Sequence, residues 1–234
     1  MRSSTSGAAF AAANAAMIRG VDCASTVHVL LADCLELLGA DTAGVLVHVG
    51  EQELELLAAT SHRALELELY QVQVHSGPCV ESIAAGESVD ASGEADLVKR
   101  WPDFGRAMSD AGLRTVHASP MRWHDRVLGG LNLFWAGPKT LTQDERELAQ
   151  AFADISTLAL MQQPTDDPTA IAQRLRIALQ GRVVIERAKG VLAHTEQVEM
   201  DEAFVRLVQR SDETARPLTQ VAQDILDDIV RARH

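Results

Sequence analysis

The chain has 234 residues, a formal net charge of −12, 47% hydrophobic residues and only 4% aromatics. That length suits one or two domains whose cores are filled by Leu, Val, Ile and Ala rather than by rings. The acidity excludes indiscriminate binding to nucleic acid or an anionic membrane surface, and no run of about 20 apolar residues offers a membrane span.

The charge is unevenly spread. From residue 166 onward 10 basic residues face 12 acidic ones, whereas the remainder carries 11 basic against 21 acidic. A nucleic-acid surface in the rear half therefore needs clustered cations rather than bulk charge. Cys23, Cys34 and Cys79 lack tight metal spacing and fit free thiols in a reducing cytoplasm.

Residues 1–22 hold the alanine-rich stretch GAAFAAANAAM. It is weakly hydrophobic, contains Asn14, and reads as a helical or flexible segment rather than an export signal. From Cys23 to Leu38 the apolar residues Val27, Leu30, Leu31, Cys34, Leu35 and Leu38 share one helical face. Ala43–Val49 and Leu54–Thr60 read as a hairpin with Gly50 and Gln52 in its turn. Ser61 caps a helix, SHRALELELYQ, whose acids read as a solvated face. Gly77-Pro78 starts a short helix that Gly86 ends, and Ser88–Ala91 forms a short strand. Trp101-Pro102 opens a helix that stops at Gly112. Arg114–Met121 is strand-like, Trp123, His124 and Asp125 turn the chain, and VLGGLNLFW at 127–135 is the strongest strand signal. Thr142 caps a helix whose apolar face runs through Leu148, Phe152, Ile155, Leu158 and Met161.

This order predicts an antiparallel sheet with flanking helices, an α+β domain. GPCVE at 77–81, WPDF at 101–104, the strand ending at Pro120 and Met121, and VLGGLNLFW resemble a GAF domain over residues 23–162. The resemblance implies a fold used for sensing a small molecule or for dimer contact. Both uses stay open, and nothing here specifies the cyclic nucleotide that some GAF relatives hold.

Within that domain Cys79 is the candidate pocket residue. Gly77-Pro78 places it at a helix start, where the dipole lowers a thiol pKa and favours a nucleophile, a redox switch or a bilin attachment. The plainer reading is a small buried side chain. The histidines show no paired metal spacing, and no phosphate loop appears. No metal, cofactor or enzymatic activity is expected.

Residues 163–169 read as a linker, broken by two prolines and two acids within QQPTDDPT at 162–169. Behind it, residues 170–234 predict a small all-α bundle. LRIALQGRVVIERAKGVLA at 175–193 repeats apolar residues at helical spacing, too widely for one seam, so two neighbours should cover it. Gly190 interrupts it at a cost of about 1 kcal/mol relative to alanine, which a close helix approach would offset. A second helix starts near Asp201, with Ala203, Phe204, Leu207 and Val208 apolar. Pro217 opens a third, with Val221, Ala222, Ile225 and Ile229 inward.

IERAKGVLA, DEAFVRL and PLTQVAQDIL resemble the ANTAR module, a three-helix RNA-binding domain of transcription antiterminators. The whole chain thus resembles a GAF–ANTAR antitermination regulator of the actinobacterial type. The resemblance implies hairpins in nascent leader transcripts as partner, and a homodimer. It also implies a cytoplasmic location, with no membrane partner. Arg182, Lys189 and Arg210 are the leading RNA-contact candidates, followed by Arg187, Arg206 and Arg216. Departures from the family sit at Val208 and Ala215-Arg216-Pro217, where relatives carry an arginine and an Asn-basic-basic run, and Asp212 adds a negative charge. They motivate the alternative of a dimerisation or protein-interaction module whose RNA binding is weak or lost. A third reading, an enzyme using Cys79, rests on that thiol alone.

Overall fold

The computed structural model describes residues 5–49, 53–161 and 167–232. The hairpin turn at Gly50 and Gln52 and most of the linker lie outside the described residues. In chain order the front part comprises α1 (Ser6–Ile18), α2 (Cys23–Leu38), β1 (Thr42–His48), β2 (Leu54–Ala59), α3 (His62–Val74), α4 (Pro78–Ala85), β3 (Val89–Ser92), α5 (Glu94–Arg100), α6 (Pro102–Asp110), β4 (Thr115–Trp123), β5 (Arg126–Trp135) and α7 (Gln143–Leu160). The rear part comprises α8 (Pro168–Glu196), α9 (Met200–Thr214) and α10 (Leu218–Ala232).

Helix ends follow local chemistry. The side chains of Asp22, Ser61 and Thr142 accept backbone N–H groups at the starts of α2, α3 and α7, and Glu145 completes a capping box with Thr142. Gly39 and Gly86 close α2 and α4 in the left-handed conformation. His124, at φ 54°, turns the tight β4–β5 hairpin.

The five strands form one antiparallel sheet in the order β2-β1-β5-β4-β3. Alternation along the strands splits the core into two faces. Val45, Val47, Leu131 and Leu133 meet Leu30, Leu31, Phe152 and Leu160 from α2 and α7. On the other face Val116, Ala118 and Phe134 meet Leu97, Phe104 and Met108, while Leu46 and Leu56 meet Cys79 and Ile83.

α8 belongs to both parts. Its first half buries Ile171, Leu175, Ala178 and Leu179 in the core shared by α2 and α7. Its second half buries Ile185, Ala188 and Leu192 against Ala203, Phe204, Leu207 and Val208 of α9 and Leu218, Val221 and Ala222 of α10. Ala24 of α2 is part of that rear core. A module of roughly 60 residues buries too little surface to be robust alone, and the front part extends its core.

The close approach expected at Gly190 is absent. That glycine faces open space, and the packing glycine is Gly181, where a Cβ would sit 2.7 Å from the Cβ of Ala24. At Gly181, therefore, α8 packs closely on α2, about two and a half turns before the position the sequence suggested.

Candidate nucleic-acid interface and the sensor domain behind it

The rear helices do not spread their cations evenly over solvent. Lys189 is only 2% exposed: its ammonium bonds Glu186 Oε1 at 3.0 Å and lies 5.4 Å from the Phe204 ring centroid. Its expected projection toward RNA is corrected, because the i,i+3 carboxylate and the aromatic face hold it in the bundle. Both carboxylate oxygens of Glu186 accept from Lys189. Arg182 is half-buried, and its Nε has no hydrogen-bond partner among the described residues.

Arg206 and Arg210 share one acid, Glu196. The Arg206 guanidinium donates to Glu196 Oε2 and, at 3.0 Å, to Glu202, and Arg210 bonds Glu196 Oε1. The hydrogen bond from Arg206 leads in holding the Glu196 carboxyl below its ordinary range, against desolvation and with help from the charges of Arg210 and Arg206. Arg216 pairs with Asp224, nearly two helix turns into α10. These pairs sit at the surface, where competing water makes ion pairs weak and replaceable by phosphate. Arg187 is exposed, and no ion pair to it occurs among the described residues.

The turn that carries Arg216 is tied to the front domain. Ala215 takes a left-handed conformation at φ 51°, and Ser211 Oγ donates to the Arg216 carbonyl at 2.6 Å. Immediately after it, the Thr219 N–H donates to Ser25 Oγ at 3.0 Å, and Thr219 Oγ1 donates to Asp22 Oδ2 at 2.5 Å. Asp22 is also the N-cap of α2, so one carboxylate serves a helix start and an interdomain bond. A second link runs from the His62 N–H to Asp201 Oδ1 at 2.9 Å. His28 of α2 is fully buried, its ring 5.8 Å from that of Phe204. Its Nδ1–H donates to the Ala24 carbonyl at 2.8 Å, and Nε2 has no hydrogen-bond partner among the described residues. Burial lowers its pKa to about 4, so a neutral imidazole fills this junction. Sequence reasoning missed Asp22, Ser25, His28 and Thr219. Each reads locally as a cap or a helix residue, and only the tertiary fold brings them together.

In the front domain Cys79 is fully buried in α4, and its thiol packs against Gly130, where a Cβ would lie 2.6 Å from Sγ. Burial, then the charge of Glu68, pushes the thiol well above its usual range. The pKa lowering expected at the helix start is therefore overturned: desolvation outweighs the dipole.

Glu68 corrects a second expectation. It does not lie on a solvated face but is fully buried beneath β1 and β5. Asn132 Nδ2 donates to both its carboxylate oxygens at 2.7 and 2.9 Å, and Gln71 Nε2 donates at 2.6 Å. Gly44 makes the room, since a Cβ there would meet Glu68 Oε1 at 2.5 Å. Burial raises the Glu68 pKa to about 7, against the lowering effect of those carboxamides. Nearby, a broad cleft of about 1000 Å³ opens between His48, Leu54, Val72, His75, Ile83 and Val127.

Ser119, His117 and Asp90 form a relay. His117 Nε2 meets Ser119 Oγ at 2.8 Å, Nδ1 meets Asp90, and Arg146 of α7 also bonds Asp90. The residue types suit nucleophilic catalysis, but Ser119 is fully buried, so the relay ties β3 and β4 to α7.

The family model of the GAF domain matches residues 22–160. The chain belongs to the GAF-domain family. Behind the GAF domain, the ANTAR domain model matches residues 173–226, on α8–α10, giving the GAF–ANTAR architecture of regulators. No curated protein matches the chain. Among solved structures, the phycocyanobilin-bound GAF domain from a cyanobacterial phytochrome is 14% identical at a TM-score of 0.52, covering 68% of this chain and 96% of its own. The GAF domain from Acinetobacter phosphoenolpyruvate-protein phosphotransferase is 11% identical at 0.50, with the same coverages. A GAF domain of such a phosphotransferase from Coxiella burnetii is 13% identical at 0.50, covering 65% and 90%. At such identities these likenesses establish the fold alone. The ANTAR match begins inside the half of α8 that packs into the GAF core, so the domain boundary in sequence is not a boundary in packing. No helix among the described residues is long and apolar enough to cross a membrane.

Proposed function

We propose that this protein is a cytoplasmic, signal-responsive regulator. Its ANTAR helices bind hairpins in nascent leader transcripts and promote antitermination. Its GAF domain senses a ligand or mediates dimerisation. The observation that carries the reading is the ANTAR match on three helices that pack as one bundle. Contacts come from Arg187 first, then from Arg206, Arg210 and Arg216 once phosphates replace their exposed carboxylate partners. Lys189 supports the bundle from within. No catalytic step is assigned to Cys79.

Docking to the GAF domain restrains the α9–α10 turn through Thr219, Ser25 and Asp22. A signal that shifts α2 acts directly on that turn, and one that shifts α7 acts through α8. The protein acts as a homodimer. Ile177 and Val183, 52% and 45% exposed, flank Gln180 on the outward side of α8 and offer an apolar strip to a second copy.

A gel-shift with a paired-hairpin leader RNA at low salt tests the reading. Wild type binds and Arg187→Glu binds at least tenfold more weakly, with unchanged helicity. Absence of a wild-type shift at low salt would favour the second reading, a dimerisation module without RNA. That reading draws on the paired state of Arg206, Arg210 and Arg216 and on Val208 and Ala215.

A further inference from the structure

A cavity of about 600 Å³ lies where three segments meet: α1, the first half of α2, and the turn between α9 and α10. One wall is made of Ala9, Ala12, Ala13 and Ala16, whose short side chains leave the space unfilled. Val29, Leu30, Val208 and Leu218 complete an apolar lining, and Ser25 and Thr26 add buried hydroxyls. The size is that of a small-molecule pocket. It lies on the α2 side of the sheet, away from the cleft between His48 and Val127.

The charged lining decides what fits. Asp33 and Asp212 are both engaged within the protein. Arg19, at the end of α1, is exposed, and no ion pair to it occurs among the described residues. Arg216, from the other domain, reaches the same cavity, and its partner Asp224 is an exposed acid. A largely apolar chamber whose lining carries Arg19, without an ion pair among the described residues, and Arg216, in an exchangeable pair, beside the two engaged acids, offers two guanidiniums to a molecule with an aliphatic body and an anionic end.

We propose that this interdomain cavity is a ligand site for an amphipathic carboxylate, its chain against the alanines of α1 and its carboxylate at Arg19 and Arg216. Because the lining comes from both domains, such a ligand binds the docked arrangement and stabilises it over any separated one. The cavity does not rest on RNA binding by the ANTAR bundle, although Arg216 is shared with the RNA contacts proposed above.

Decanoate, decanamide and decylamine are the probes, titrated calorimetrically into the full chain. The expected result is saturable one-to-one binding of decanoate, at least tenfold tighter than either neutral or cationic analogue. Arg19→Gln should weaken decanoate at least tenfold and leave decanamide unchanged. Hydrogen exchange should slow in α1 and at 215–219 on addition of decanoate. Four results would each overturn the proposal: no saturable binding, equal affinity for decanoate and decylamine, decanoate affinity unaltered in Arg19→Gln, or protection confined to the cleft at His48 and His75. Circular dichroism of Arg19→Gln, expected to match wild type because the side chain is exposed, separates lost affinity from lost fold.

Discussion

The two halves of α8 share an apolar helical periodicity but serve different cores. Leu175 and Leu179 are sealed by the GAF domain, whereas Ile185 and Leu192 are sealed by α9 and α10. Both halves are helical for the same local reason, an apolar repeat near 3.6 residues, so the difference is imposed by what packs on them. A helix shared in this way transmits displacement without a hinge. The GAF domain and the ANTAR bundle are linked by side chains as well as by the chain.

Truncation at each end of this helix system breaks or sharpens that contrast. Phe204→Ala removes the one ring of the rear core and should cost about 3–5 kcal/mol. Far-UV dichroism should show an early loss of helix while the fluorescence of Trp101, Trp123 and Trp135, all in the GAF domain, melts later. Leu175→Ala should cost about 2–5 kcal/mol and lower the tryptophan-detected transition, although Leu175 lies within the ANTAR match. If Leu175→Ala left the tryptophan transition in place, the shared-helix account would be wrong. If both variants melted as one transition by both probes, the two cores would form a single cooperative unit.

Protons distinguish the two regions next. The folded pKa of Glu68 is raised to about 7 from 4.5, so its contribution is complete below 4.5 and is lost as pH rises through about 7. The folded pKa of His28 is lowered to about 4 from 6.5, so its contribution is present above 6.5 and is lost as pH falls through about 4. Raising the pH from about 4.5 to about 7 therefore loosens the GAF core, and lowering it from about 6.5 to about 4 loosens the interdomain junction. Glu68→Gln should remove the stability loss seen as pH rises from about 4.5 to about 7 in denaturant titrations. An unchanged pH slope in that variant would place the titrating group elsewhere. The smallest effect is at the link itself: Thr219→Val should cost about 1.5–3 kcal/mol, since the bond to the Asp22 carboxylate and the long 3.4 Å bond from Ser25 Oγ are lost while the backbone bond to Ser25 stays. Its midpoint shift is read in the same titrations.

Much of the fold is legible in the sequence because caps and turns act locally. The Thr142 capping box, Gly39, Gly86 and the alternation in VLGGLNLFW fix element ends and faces without tertiary help. α5 escapes notice because only Ala95, Leu97 and Val98 in its seven residues are apolar, too few for a period. Glu68 and Glu66 look alike in LELELYQ, yet one is buried and the other exposed. Only the space over Gly44 and the carboxamides of Gln71 and Asn132 separate them. Lys189 likewise reads as a surface cation until Glu186 and Phe204 close over it. In the sequence the RNA-contact candidates are marked by their charge alone, and pairing with Glu196 and Asp224 depends on which helix lies beside which.

The most direct measurement is the affinity of a fluorescent paired-hairpin leader RNA for the full chain and for Thr219→Val, by anisotropy over about 50–200 mM salt. The account predicts binding by both, weakening as salt rises, with the variant several-fold tighter because its α9–α10 turn is released from Asp22. Equal affinities would contradict restraint by docking, and no binding by either at the lowest salt would contradict the RNA-binding role itself.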